Sequence, residues 1–304
     1  MSTTSNQGPV AFIGLGNMGG PMAANLVAAG RQVTGFDVGQ EACDKARAAG
    51  VDVKGSAAEA VQGAAAVVTM LPNGALLLGV YDEVLPAAAP GTLFVDCSTV
   101  AVSDARTAAD LAVAAGHRAA DAPVSGGVGG AEAGTLTFML GCDDALVEEA
   151  TALLDPMAGR VVHCGASGAG QAAKICNNMV LGASMIAISE AFVLGEKLGL
   201  THQAFFDVAS TASGQCWALT TNCPVPGPVP TSPANRDWRP GFAGALMAKD
   251  LGLARRAVEE SGTDAAVGTL AEELYRRFAD EGGAGLDFSA IVNTIRERSA
   301  AAAE

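Results

Sequence analysis

PVAFIGLGNMGGPMAANLVAAGRQVTGFD, residues 9–37, decides the fold. It opens on an apolar run that breaks into glycine. A helical run of small and apolar residues follows and closes at Gly30, and QVTGFD then supplies a second short strand. That order is a strand–helix–strand unit. At its first turn Gly14, Leu15, Gly16, Asn17, Met18 and Gly19 spell G-x-G-x-x-G. In a chain with 38 glycines the motif alone says little. Its setting gives it weight: a strand precedes it, a helix follows, and Asp37 ends the next strand eighteen residues after Gly19. Gly14 allows the tight turn, Gly16 lets backbone N–H groups approach a pyrophosphate at the helix N-terminus, and Gly19 lets helix and strand pack closely. Asp37 would accept hydrogen bonds from the adenine-ribose hydroxyls and repel a 2′-phosphate. Val38 and Gly39 bring no guanidinium to offset it, so NAD is expected over NADP. The plain alternative, a glycine-rich turn with a surface Asp, requires all four features to coincide by accident.

The pattern continues outward. Short apolar runs recur at 65–71, 91–98, 117–124, 136–142 and 160–165, separated by Ala- and Leu-rich helical stretches. This alternation predicts an α/β domain with a mostly parallel, doubly wound Rossmann-type sheet. After Gly170 no strand pattern appears. Helical runs are expected near 170–199, 201–212, 242–261, 263–281 and 287–301. The boundary is placed near 165: residues 1–165 form the dinucleotide-binding domain, and 166–304 an all-α C-terminal domain for substrate and oligomer contacts, entered by a long interdomain helix. Residues 221–240 carry six prolines and cannot be a helix or a central strand. So long a segment without structure is expected to be a functional or a flexible loop.

Composition narrows the function. Half of the 304 residues are hydrophobic and 16% are charged, which suits a folded chain with a large core. The net charge of −14 and the absence of any basic cluster argue against a nucleic-acid surface. The N-terminal residues show neither a basic n-region nor an apolar h-region, so no signal peptide is expected. The apolar run near 175–195 holds Asn177, Asn178, Ser184, Ser189 and Glu190, which argues against a membrane span. Seven scattered cysteines without a C-x-x-C pair fit reduced thiols in a cytoplasm. His117, His163 and His202 lie far apart, so no metal site is expected.

Candidate site residues follow the strand ends. Leu71 and Pro72 in MLPNG would wall a ribose, and Thr99 in DCSTV would reach the nicotinamide side; a bland turn is the alternative at each. In DAPVSGG, Ser125, Gly126 and Gly127 would present successive N–H groups and a hydroxyl, a nest suited to a carboxylate. GAGQAAKICNN, 168–178, holds the only charge between Arg160 and Glu190. Gln171, Lys174 and Asn178 stand at i, i+3 and i+7, on one helical face. Oxidising an alcohol requires a base for the hydroxyl proton, and a lysine in a low-dielectric cleft can serve, because desolvation lowers its pKa from about 10.4. Asn178 would hold the substrate hydroxyl or position the ammonium. The alternative is a lysine snorkelling over a surface helix, whose usual charged company is missing here. Lys249 and Asp250 lie in another mainly apolar helix, one facing the cleft and the other anchoring it, or both on the surface. Trp217 lines a pocket or sits in the core.

Taken together, FIGLGNMGGPMAANL, FD, MLP, DCST, DAPVSGG and GAGQAAKICNN resemble the β-hydroxyacid dehydrogenase family, from about residue 10 to 300. GQCWALTTNCPVPGPVP and GFAGALMAKDLGLA are similar to the branch acting on 3-hydroxyisobutyrate in the catabolism of valine, a branched-chain amino acid. The resemblance implies oxidation of 3-hydroxyisobutyrate to methylmalonate semialdehyde with NAD, and Lys174 as catalytic acid/base. It implies substrate contacts from Ser125, Gly126, Gly127 and Asn178, and Lys249 reaching cofactor or substrate with Asp250 beside it. It also implies a homodimer or homotetramer with packed helical domains. Several members carry Tyr where Asn222 stands, which leaves selectivity open. Sister activities on L-serine, 3-hydroxypropionate, tartronate semialdehyde or succinic semialdehyde share the machinery. A non-catalytic NAD-binding protein could dispense with Lys174 and Asn178.

Overall fold

The computed structural model describes residues 8–301. The chain divides into two compact units between Lys174 and Ile175. In the first unit, β1 (Val10–Ile13), α1 (Gly19–Ala28), β2 (Val33–Phe36), α2 (Gln40–Ala48), β3 (Asp52–Val53), α3 (Ala57–Ala60) and β4 (Ala66–Thr69) make the first half. α4 (Gly74–Val84), β5 (Leu93–Asp96), α5 (Val102–Ala114), β6 (Arg118–Asp121), β7 (Val124–Ser125), α6 (Gly127–Ala133), β8 (Leu136–Gly141), α7 (Val147–Leu154) and β9 (Ala158–Gly165) complete it.

The nine strands form one sheet in the order β3-β2-β1-β4-β5-β6-β8-β7, with β9 on β8. Strands β1 to β6 pair in parallel, whereas β8 runs antiparallel to β6 and β7. The reversal of strand order at β1/β4 is the topological switch of a doubly wound fold, and loops at the strands' C-terminal ends there form the ligand crevice. The inner strands β1, β4 and β5 are buried at every position because both faces are covered. Along β1, Val10 and Phe12 join one core with Val68, Leu93 and Val95. Ala11 and Ile13 join the other, with Val67, Phe94 and Tyr81.

α8 (Ala169–Lys197) begins in the first unit and continues in the second. It is long and apolar enough to cross a membrane by length and composition, but half of its most apolar window is buried in the protein, as in a core helix. The second unit continues with α9 (His202–Ala209), α10 (Trp217–Thr220), α11 (Gly244–Ser261), α12 (Ala266–Asp280) and α13 (Ile291–Ala301). Its core gathers Met185, Phe192, Leu219, Met247, Leu251, Tyr275, Phe278 and Phe288. Apart from the one-turn α10, which lies outside the expected helical runs, these helices fall where the periodicity predicts them, with ends shifted by a few residues.

The Pro-rich segment holds no α-helix or strand, as expected, and of its two alternatives the flexible loop is set aside. It includes a 3-10 turn, Pro233–Arg236, and it is tied down rather than loose. The Ser232 hydroxyl donates to the Cys223 carbonyl, and the Asn235 amide to the Val229 carbonyl at 2.8 Å. Asp237 and Trp238 both hold φ at 51°, a left-handed conformation costly for non-glycine residues. Trp238 is fixed there from three sides. Its N–H donates to the Pro233 carbonyl, its indole N–H to the Pro224 carbonyl, and its own carbonyl accepts from Asp287 N–H.

Candidate functional site

Gly14 follows β1 with φ 94°, and a Cβ there would lie 2.3 Å from the Met70 carbonyl oxygen. At Gly19, the first residue of α1, a Cβ would lie 1.9 Å from the Gly14 oxygen. Both glycines are therefore demanded by the fold. Gly16 differs: it is exposed, and a Cβ would meet nothing within 4 Å. Nothing inside the protein requires glycine there, which fits a loop whose backbone must admit a pyrophosphate. Leu15 is buried, while Asn17 is exposed beside half-buried Met18. Asp37, directly after β2, accepts the Leu15 N–H on Oδ2 and the Gly39 N–H on Oδ1, each at 2.7 Å. One carboxylate thus braces the glycine loop and its own turn. The residues present fit a dinucleotide.

The next two turns are joined by a buried network that the sequence hides. Asp96, at the end of β5, accepts from the Thr69 hydroxyl at 2.7 Å and from the Ser98 hydroxyl at 2.6 Å. Ser98 Oγ in turn accepts the Leu71 N–H at 2.8 Å. Leu71 and Thr99 are half-buried and Pro72 is exposed, as suits walls of a crevice. Ser125 lies on β7, and Gly126 and Gly127 lead into α6 with φ 139° and 63°, where only glycine is comfortable.

Lys174 is only 7% exposed, which sets aside the snorkelling alternative. The turn of α8 that precedes it is pinned to the strand ends. Gln171, fully buried, donates its side-chain amide to the Ser98 carbonyl at 2.7 Å, and its Oε1 accepts the Val100 N–H. Asp121, at the end of β6, accepts the Gly168 N–H at 2.6 Å and the Gln171 N–H at 2.8 Å. Burial pushes the Asp121 carboxyl up to about 6 against the pull of those two donors, and Asp96 on the neighbouring strand adds to the rise.

Within the second unit, Asn178 donates its amide to Asp250 Oδ2 at 2.6 Å and accepts from the Asn177 amide at 3.0 Å. Lys249 Nζ lies 3.8 Å from Asp250 Oδ1. These three polar candidates form one cluster, with Asp250 buried and Lys249 half-exposed. Trp217 opens α10 and is 51% exposed, so the core alternative for it is wrong. Asn222 is buried and donates to Asp287 Oδ1 at 3.1 Å. Asp287 also accepts from the N–H groups of Gly241, Phe242 and Ser289 and from the Ser289 hydroxyl. Among the described residues no group of three or more His, Cys, Asp or Glu could hold a metal ion.

Sequence reasoning missed Asp96, Asp121, Ser98 and Asp287 as site or anchor residues. The available signal was an Asp closing an apolar strand, in LFVD and AAD, the same pattern that drew attention to Asp37.

Residues 9–165 match the family described as the NAD binding domain of 6-phosphogluconate dehydrogenase. Residues 168–295 match the one described as NAD-binding of NADP-dependent 3-hydroxyisobutyrate dehydrogenase. The chain is 57% identical over 290 residues to a probable 3-hydroxyisobutyrate dehydrogenase of Mycobacterium tuberculosis, covering 95% of this chain and 98% of that one. It is 45% identical over 285 residues to an NAD-dependent L-serine dehydrogenase of Pseudomonas aeruginosa, covering 93% and 96%. The solved structure of Mycobacterium tuberculosis 3-hydroxyisobutyrate dehydrogenase with L-serine superposes with a TM-score of 0.93 at 56% identity, covering 95% and 99%.

Proposed function

This chain belongs to the β-hydroxyacid dehydrogenase family of NAD-binding oxidoreductases, and we propose that it oxidises 3-hydroxyisobutyrate to methylmalonate semialdehyde, with Lys174 as general acid/base. The observation that carries the proposal is the burial of Lys174, 7% exposed, in a helix turn tied to the ends of β5 and β6. A lysine so placed is shielded from water and held on a fixed backbone, which proton transfer to or from a defined atom requires. In the oxidative direction the neutral amine takes the substrate hydroxyl proton; in the reductive direction the ammonium returns it. When bound, NAD supplies the hydride acceptor. Gly14 to Gly19, Asp37, Leu71, Pro72 and Thr99 would hold it, with Lys249 reaching toward it. Ser125, Gly126 and Gly127 would bind the substrate carboxylate, and Asn178, fixed by Asp250, would orient the substrate beside Trp217.

The substrate choice is supported by 57% identity to relatives named for 3-hydroxyisobutyrate, against 45% to one named for L-serine. L-Serine is the second reading, favoured by that relative and by the solved relative that holds L-serine. A place in valine catabolism, in the cytoplasm, goes with the first reading. A homo-oligomer is also proposed. Val180, Leu194, Leu198, Val267 and Leu270 are each more than half exposed, an apolar surface suited to another copy.

The test compares kcat/KM for 3-hydroxyisobutyrate, L-serine and 3-hydroxypropionate with NAD, for the wild type and Lys174→Ala. The expected result is preference for 3-hydroxyisobutyrate and a loss on the order of 10²–10⁴-fold in kcat for the variant with NAD binding retained. Near-normal turnover by Lys174→Ala would sink the acid/base assignment, and preference for L-serine would overturn the substrate.

A further inference from the structure

We propose that Asp121 is a positioning residue for Lys174: by holding the first turn of α8 against the strand ends, it sets where the lysine three residues beyond Gln171 stands. The inference rests on Lys174 being the acid/base. Asp121 is 3% exposed, and both its oxygens are spent on the start of α8, one on the N–H of Gly168 just before it and one on the N–H of Gln171 in its first turn. The approach is as close as backbone allows. A Cβ on Gly170 would lie 2.1 Å from the Met139 carbonyl oxygen and 2.8 Å from Asp121 Oδ2, and one on Gly141 would lie 2.4 Å from Asp121 Oδ1. With the Gln171 side chain bonded to Ser98 and Val100, the turn is anchored at β5, β6 and β8 together.

The anchor depends on a carboxylate that only accepts. Protonation, or replacement by Asn, puts a donor where one backbone N–H already points, so one of the two contacts becomes repulsive. The groups facing Asp121 are Asp96 on β5, Tyr81 on α4, Cys142 after β8 and Cys164 on β9, with Arg106 of α5 donating to the Ser167 carbonyl beside Gly168. The first four supply no cation to hold the charge. Burial places the Asp121 titration at about 6.

The experiment measures the aldehyde-reducing reaction with NADH between pH 5 and 8. In that direction Lys174 must be protonated, so acid favours it, and a fall in kcat on the acid side belongs to another group. The wild type should lose kcat as pH drops through about 6. Asp121→Asn should be slower by about 10- to 100-fold at pH 7, the loss expected for misplacing a catalytic group by an ångström or less. It should show no acid limb, with NADH affinity unchanged because the glycine loop and Asp37 are untouched. A kcat within twofold of wild type, or an unchanged acid limb in the variant, overturns the proposal. If Asp121→Asn does not fold, Gln171→Met carries the test: it keeps the backbone contacts but loses the bonds to Ser98 and Val100. It should lower kcat with NADH affinity preserved and keep the acid limb near pH 6, because the Asp121 contacts remain; loss of that limb in Gln171→Met, or a wild-type kcat that stays flat from pH 8 to 5, overturns the positioning by Asp121. Lys174→Ala runs in parallel. A dead Lys174→Ala beside an unimpaired Asp121→Asn refutes positioning alone, whereas an active Lys174→Ala refutes the catalytic reading on which it rests.

Discussion

In the proposed site cofactor choice turns on Asp37, and the double substitution Asp37→Asn with Val38→Arg tests it. Two of the carboxylate's acceptor positions go to Leu15 and Gly39 N–H, which leaves capacity for two ribose hydroxyls of NAD. A 2′-phosphate would replace one hydroxyl with nearly two negative charges. At about 4 Å one pair of unit charges is worth about 1 kcal/mol in water, so repulsion near an exposed rim is about 2 kcal/mol. Losing charge-assisted hydrogen bonds adds about 2 kcal/mol. The sum, about 4 kcal/mol, corresponds to on the order of 10³-fold preference for NAD. Val38 is 95% exposed, so an arginine there displaces no packing and can meet the phosphate. The double variant should therefore shift the NAD-to-NADP ratio of kcat/KM by on the order of 10²-fold or more. The asparagine must turn its amide toward one of the two N–H groups, at about 1–2 kcal/mol, so a Tm drop of a few degrees is expected. Absorbance at the nicotinamide band gives kcat/KM, and quenching by NADH and NADPH gives the two Kd values. Equal use of NADP by the wild type, or a shift below tenfold in a folded variant, refutes the ribose assignment. The test is sharpened by the match of residues 168–295 to a family described as NADP-dependent.

The other expectations concern single groups. Gly19→Ala puts a methyl 1.9 Å from the Gly14 oxygen, backbone on backbone, so the loop must open; NADH affinity should fall on the order of 100-fold, and unchanged quenching would sink the loop assignment. Glu196 is held down to about 2 by Arg296 first and His202 second. A lowered carboxylate contributes stability above its unfolded value of 4.5 that is lost as pH falls toward 2, so Glu196→Gln should lower Tm at pH 7 and lose that deficit across this acid range. The pair is partly exposed, so the effect is roughly 1 kcal/mol; an equal Tm difference at pH 7 and pH 2.5 contradicts it. Asp287→Ala strands several donors of the Pro-rich segment, at about 3 kcal/mol or more, and limited proteolysis should then cut within 221–240; resistance equal to wild type contradicts the anchoring role.

What was legible in the sequence is what local pattern determines. The inner strands β1, β4 and β5 are read from unbroken apolar runs, because both faces of a parallel sheet are buried, and the glycine loop from its spacing together with the strand before it, the helix after it and Asp37; the two-residue β3 left no such run and was missed. Three aspartates then look alike, each closing an apolar run: Asp37, Asp96 and Asp121. Only the first was singled out, by its distance from Gly19. What separates them is sheet order. β2 has only the two-residue edge strand β3 on its outer side, whereas β5 and β6 each lie between strands of four residues or more, and their terminal carboxylates are buried. Sheet order is non-local, and nothing in LFVD or AAD announces it. How the Pro-rich segment is held stays hidden for the same reason. Its bonds reach from Asn222 to Asp287, sixty-five residues away, and no period marks them.

The three aspartates also share a physical logic. A carboxylate buried at a strand end is costly, and for Asp121 the rise from 3.8 to about 6 corresponds to about 3 kcal/mol against the charged form at neutral pH. Because the folded value is raised, stability declines as pH climbs from about 4 to about 6, the reverse of an ordinary paired carboxylate. A neutral isostere would remove that cost and lose one N–H contact worth about 1–3 kcal/mol, so stability alone gives little reason to keep the acid. The reason lies in the loops. Asp37 fixes the glycine turn, Asp96 fixes Leu71 through Ser98, and Asp121 fixes the turn before Lys174. Each strand-end aspartate holds in place a backbone segment of the proposed site. Asp121→Asn should accordingly separate the two properties, with a Tm near that of the wild type and a slower enzyme.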